Sequence, residues 1–417
     1  MEERIYWIWL SLRCGAGSSL GTYLLKQFGA PKAVFDATEE ELRAVEGISD
    51  TIAAILTDRD LSLAERIYEY CQRTNTGLLT IADAVYPERL RAIHAAPILL
   101  YYRGRIPNID DNVLIACVGT RKCTENGRRM ARRLGEDLAY GGAIVVSGMA
   151  AGIDTASHEG ALAAGGHTIA VLGCGLDRAY PAENEKLMKT IAQEGLLLSE
   201  FAPGTEPNGK NFPVRNRIIA GLCQGTVVVE ADRFSGSLIT AHDAQKQGRD
   251  IFAVPGRSTD ALAECGNLHI REGAKLVTRA ADILEEYELD YPHRIFVERI
   301  PRRPFAAEER EPVSASSESA PKVRREEPAA PERPKKAKKR IFGALLPKEA
   351  PDATPLSEEE SLVLSCISDA TSVDEIAKTL AERHGRQIAT GELLGILTML
   401  EIGGRIEALP GGIYRAL

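Results

Sequence analysis

The chain has 417 residues, 44% of them hydrophobic, and a formal net charge of -8. That is enough for two or three domains of ordinary globular composition. The acidic balance excludes a molecule that is basic all over, as a general DNA coater is, so any contact with nucleic acid has to be made by local basic sites.

No apolar run reaches the roughly 18–20 residues of a membrane span. The N-terminal IYWIWL is short and follows two glutamates, which does not make a signal peptide. Eight cysteines are scattered at 14, 71, 117, 123, 174, 223, 265 and 366 without a C-x-x-C pair. This pattern indicates reduced, mostly buried thiols and a cytoplasmic protein, with no disulfide framework and no metal site.

Residues 1–75 read as helical. Apolar positions recur at helical spacing in LGTYLLKQFG and TIAAIL, separated by the turn signals GAGSS (15–19) and EGIS (46–49). TEEEL starts a helix, with Thr38 as N-cap and Glu41 at the capping-box position. Such hairpins can offer backbone amides to a phosphate, but a plain helical adapter is the favoured reading, because short motifs carry little specificity.

Two extended runs, LLTI and ILLYY, follow within 78–102. From 113 onward VLIACVG, AIVVSG, TIAVLG, LLLSE, TVVVE, DIFAVPG and KLV alternate with helical stretches. Continuous apolar runs fit strands buried on both faces. The region 78–290 is therefore expected to be an α/β, doubly wound, mostly parallel sheet. Residues 298–355 are Pro-, Ala-, Glu- and Lys-rich and read as a disordered linker carrying the basic run RPKKAKKR (333–340). Residues 356–417 give three helical segments and a hairpin around PGG, the layout of a winged helix. Its third helix, 392–401, has no Arg or Lys, which favours protein docking or a degenerate winged helix over groove reading.

In open parallel sheets ligands sit beyond the carboxyl ends of the strands. Five loops rich in Gly, Ser, Asn and Arg follow such ends: 119–129, 147–162, 173–184, 201–217 and 231–241. Glycines allow close backbone approach, and helix N-termini there favour anions. Ser147, Gly148, Ser235, Gly236 and Ser237 supply donors, while Arg121, Lys210, Arg215 and Arg217, with Asn216 between the last two, supply charge and forked hydrogen bonding for phosphate. Cations at the start of a helix oppose its dipole, and a bound anion would resolve that conflict. Asp154 reads as a helix cap and His158 as structural; Glu230 and Asp232 are either ribose or metal ligands or strand-end polarity. The full G-x-G-x-x-G and the P-loop are absent, which disfavours a dinucleotide site and ATP hydrolysis. Neither catalytic residues nor a cofactor are expected.

The blocks VGTRKCTENG, SGMAAGIDTASHEGAL, VLGCGLDRAYPAEN, SEFAPGTEPNGKNFPVRNRIIAGL, VVVEADRFSGSLITA and GRDIFAVPG, in this order, resemble the DNA-processing protein A family (DprA, also called Smf). The flanks resemble that family's SAM-like helical domain and winged helix. The resemblance implies an extended Rossmann fold that binds single-stranded DNA without sequence preference. It also implies a homodimer that helps load RecA onto DNA covered by single-strand-binding protein, in recombination and natural transformation. Arg121, Ser147, Gly148, the Arg215–Arg217 block and the Ser235–Ser237 turn match the family's blocks. One block departs: CGNLHIREGA (265–274) is shortened around Asn267.

Phe201, Phe212 and Phe234 are candidates for a base-stacking platform, and Phe212 and Phe234 fit a core role as well. Two alternatives share the rim: a nucleotide sensor, and an enzyme of the related Rossmann group that cleaves nucleoside monophosphates. The P-G-G-x-G-T turn of those enzymes is missing.

Overall fold

The structure is a computed structural model that describes residues 2–233, 235–302 and parts of 358–416. The basic run 333–340, Phe234 and most of the third winged-helix segment lie outside the described residues. The chain divides into two compact units, Met1–Glu308 and Glu309–Leu417.

In the first unit, nine apolar segments become nine strands: β1 (Gly77–Thr80), β2 (Leu99–Gly104), β3 (Leu114–Val118), β4 (Ile144–Ser147), β5 (Thr168–Leu172), β6 (Leu196–Ser199), β7 (Gly225–Val228), β8 (Asp250–Ala253) and β9 (Lys275–Leu276). They form one sheet in the order β1-β2-β6-β5-β4-β3-β7-β8-β9. From β6 to β9 all neighbours are parallel, while β2 pairs antiparallel with both β1 and β6. Ala116 lies opposite Val146 on one side and Thr226 on the other.

The continuous apolar runs are explained by two buried faces. Leu114, Ala116 and Val118 enter one core cluster, and Val113, Ile115 and Cys117 enter the other. The first face is covered by the helix Asn211–Leu222 through Ile218, Ile219 and Leu222. The second is covered by the helices Glu125–Tyr140 and Ile153–Ala163. Each fully buried Leu or Ile contributes about 1.5–3 kcal/mol.

The N-terminal helices share their core with the sheet. Trp9, Leu24 and Leu56 belong to the same cluster as Tyr101, Leu172 and Leu197. The capping box expected at Thr38 and Glu41 is present: the Glu41 N–H donates to Thr38 Oγ1 at 3.2 Å, and the Thr38 N–H to Glu41 Oε2 at 2.7 Å.

In the second unit, β10 (Thr371–Ser372), β11 (Ile406–Leu409) and β12 (Ile413–Ala416) form a sheet in the order β10-β12-β11. It accompanies the helices Glu358–Ser365 and Val373–His384. Leu393, Leu397 and Leu400, at helical spacing, are buried with Val363, Ile376 and Leu380.

Candidate nucleic-acid interface

The chain runs from β3 to β6 in one direction across the sheet and then returns to place β7 on the other side of β3. The crevice between the carboxyl ends of β3 and β7 is the topological switch point, where doubly wound folds bind ligands. The Thr120 N–H donates to Glu230 O at 2.7 Å, which zips the two strand ends together. The Glu230 carboxylate then accepts from the N–H and hydroxyl of Thr124, at 2.8 and 2.6 Å. It thereby anchors the start of the helix Glu125–Tyr140. That occupation identifies Glu230 as a scaffold of the rim.

Beside this crevice, beyond the carboxyl ends of β3 and β5, three flat groups lie on one another. The Tyr180 and Phe212 rings stack with centroids 5.2 Å apart and planes 27° apart. The exposed Arg121 guanidinium sits 5.0 Å from the Phe212 ring centroid. Tyr180 is 36% exposed. Gly173, just beyond β5, makes the arrangement possible, because a Cβ there would lie 2.8 Å from Phe212 Cδ1. A surface-exposed stack of two rings and a guanidinium suits a nucleobase beside a phosphate. Tyr180 was missed in the sequence; the signal available was an aromatic inside the polar rim loop DRAYPAEN.

The Arg-Asn-Arg block turns inward. The Arg215 guanidinium is buried and donates through Nη1 to Gly148 O, at 2.7 Å, and to Val171 O. Its Nε–H donates to Asn216 Oδ1 at 3.1 Å, and Asn216 Nδ2 donates to Gly236 O at 3.2 Å. Two residues thus hold the turn after β4, the end of β5 and the turn beyond β7 in one arrangement. A Cβ on Gly148 would lie 2.7 Å from Arg215 Nη2, so only glycine fits against that guanidinium. Burial draws the Arg215 pKa down to about 10, with Asp154 opposing. It therefore stays charged at neutral pH, 5.9 Å from the Phe212 ring.

Arg217 is also committed. Its Nη2 donates to both oxygens of Glu200 at 2.7 Å, and the same carboxylate accepts the Gly17 N–H at 3.2 Å. The expectation that Arg215 and Arg217 offer their charge outward gives way here to an inward role, because backbone carbonyls hold the Arg215 guanidinium and the Glu200 carboxylate pairs with Arg217 through Nη2. An anionic ligand is not needed to reconcile these cations with the helix start.

The other expected residues divide between scaffold and surface. Ser147 is fully buried and donates to Cys117 O at 2.6 Å. The Gly148 N–H is taken by Asp154 Oδ2 at 3.1 Å. Asp154 therefore ties down the turn ahead of its helix, also accepting from the Ala150 N–H at 3.3 Å, while the N-cap itself is Gly152. Burial raises the Asp154 pKa to about 6, opposed by Arg215 and these amides. His158 is buried and its Nδ1 pairs with Thr168 Oγ1 at 2.7 Å. Ser237 is buried, 2.7 Å from the half-buried Ser235 hydroxyl, while Gly236 is exposed at the N-cap of the helix Ser237–Lys246. Lys210 is exposed at the N-cap of the helix Asn211–Leu222. Phe201 belongs to the core, so the stacking role does not extend to it. Near Asn267, the shortened segment is mostly helical, Glu264–Arg271, and the Asn267 side chain holds Gly256 through two hydrogen bonds, at 3.2 and 3.0 Å.

Residues 77–288 match the family model for DNA recombination-mediator protein A. The chain belongs to that family. Residues 347–412 of this member match the DprA winged helix domain. It is 46% identical over 209 residues to the DNA processing protein DprA of Streptococcus pneumoniae, spanning 50% of this chain and 73% of that one. With Protein Smf of Synechocystis it shares 39% identity over 288 residues, 68% of this chain and 72% of the relative. The X-ray structure of DprA from Streptococcus pneumoniae superposes with a TM-score of 0.55 at 36% identity, over 68% of this chain and 97% of that one.

Proposed function

We propose that this protein binds single-stranded DNA without sequence preference at the switch-point crevice and presents the strand to a recombinase. The observation that carries the reading is the Arg121–Phe212–Tyr180 stack, which runs from the β3 side of the crevice toward the end of β5. The ring pair gives any base a face to lie on, and Arg121 gives a charge for its phosphate. Lys210 and the exposed glycine-capped helix start at Gly236 extend the anion-attracting rim. Ser235 and the Gly236 turn line it, while Ser147, Gly148, Ser237, Arg215, Asn216 and Arg217 fix its shape from beneath. Arg215 adds positive charge under the ring without needing to touch the ligand.

The family description, a DNA recombination mediator, and the relatives' description as DNA processing proteins support the same reading. We assign the protein no catalytic step. As a homodimer in the cytoplasm it would load RecA onto DNA covered by single-strand-binding protein, serving recombination and transformation.

The test is a salt titration of labelled oligo-dT against a duplex of equal length. Wild type binds the single strand with a steep salt slope. Arg121→Ala lowers that slope by about 0.7, one phosphate's share on a single strand. An unchanged slope in a folded variant overturns the contact. The same ring stack would also accept the base of a lone nucleotide. Displacement of oligo-dT by micromolar mononucleotide would favour that sensor reading instead.

A further inference from the structure

A second basic feature begins where the rim ends. Residues 121–133, RKCTENGRRMARR, hold six basic residues and one acidic one, in a chain of net charge -8. Arg121 and Lys122 lie at the crevice; Arg128, Arg129 and Arg132 are exposed along the first turns of the helix Glu125–Tyr140. The opposite side of that helix, Met130, Ala131, Leu134 and Leu138, is packed into the core, so the arginines face outward.

Local helix energetics do not ask for these cations. They crowd the N-terminal half of the helix, where the dipole favours acids, and Arg128 and Arg132 form a like-charge pair four residues apart. Nearby carboxylates satisfy Arg128 and Arg132 poorly. Arg128 reaches Glu125 at 3.7 Å with side chains 53% and 72% exposed, and Arg132 reaches Glu159 at 3.7 Å with 56% and 47%. Arg129 donates to Asn126 Oδ1 at 2.5 Å. Glu136 is the remaining acid on the outer side of this helix. Exposed ion pairs of this length contribute little and exchange readily for a stronger anion.

We propose that the outer face of the helix Glu125–Tyr140, through Arg128, Arg129 and Arg132, is a second phosphate track that continues the single strand past Arg121. The inference rests on the rim being the strand site; continuity with Arg121 and Lys122 and the sign of the charge select a polyanion as occupant. At 1.5 Å rise per residue, the three arginines carry the track about 12 Å from the helix start. Strands too short to leave the crevice do not use it, and longer ones do.

The experiment compares wild type, Arg121→Ala, the triple variant R128A/R129A/R132A and its lysine counterpart R128K/R129K/R132K. Fluorescence anisotropy follows labelled oligo-dT of about 6 to about 30 nucleotides, bracketing the roughly 4–16 nucleotides of common single-strand sites, across a salt series. On the shortest strands the triple alanine variant matches wild type. On the longest its salt slope falls by about 2, three phosphates' share, and affinity at low salt drops on the order of tenfold or more. The lysine variant keeps the slope, since charge is what counts. A triple alanine variant with an unaltered slope at every length overturns the track, as does an equal loss on the shortest strands, or a loss confined to duplex. The rim reading fails separately, if Arg121→Ala leaves short-strand binding untouched.

Discussion

Arg217 and Glu200 form a two-pronged ion pair, one nitrogen to both carboxylate oxygens at 2.7 Å, with side chains only 12% and 9% exposed. Through Gly17, which donates its N–H to the same carboxylate, the pair also pins the N-terminal helices to the helix that builds the rim. Removing one partner strands a buried charge. Glu200→Ala is expected to lower stability by about 3–5 kcal/mol, read as the urea midpoint without DNA. A midpoint unchanged from wild type would show that the pair holds nothing together.

Gly148→Ala places a methyl group against a guanidinium that cannot retreat, because two carbonyls and Asn216 hold it. We expect a loss of about 1–3 kcal/mol and weaker strand binding, since Arg215 shapes the turn. Thermal melting with and without oligo-dT separates the two effects. An unperturbed melt would mean that the turn yields more easily than its contacts imply.

Phe212→Ala removes the middle member of the ring stack. Single-strand affinity is expected to fall by about 1–3 kcal/mol, the worth of one stacked base, with the salt slope kept. Losing slope instead of affinity would assign Phe212 to positioning Arg121 alone.

Two buried groups give the fold opposing pH responses. Burial chiefly, with Arg215 adding, draws the His158 pKa down to about 3, so below about 6.5 the unfolded chain takes up a proton the native one refuses. Stability falls along that path as pH drops. Asp154, raised to about 6, keeps its proton in the native state where the unfolded carboxyl has ionised, so between about 4 and 6 its share rises as pH drops. Relative to wild type, His158→Gln should gain stability on acidification across the window from about 6.5 to 3, by up to about 1.4 kcal/mol per pH unit. Asp154→Asn should steepen the acid loss between about 4 and 6. Urea midpoints over this pH range check both signs; parallel curves for wild type and His158→Gln would show that His158 titrates normally.

The sequence by itself determined the nine strands, the doubly wound class and the rim loops. Those features follow from short-range chemistry: apolar runs long enough for a strand buried on two faces, and glycine-rich turns after each. It also marked Arg121, whose exposure needs no distant partner. The tertiary structure alone decided strand order and the work of the Arg-Asn-Arg block. Arg215 meets Gly148 across 67 positions and Val171 across 44, and Glu200 meets Gly17 across 183. A guanidinium is equally suited to a phosphate and to a ring of carbonyls. Which of them it finds depends on what the folded chain carries to its side, and no local pattern records that.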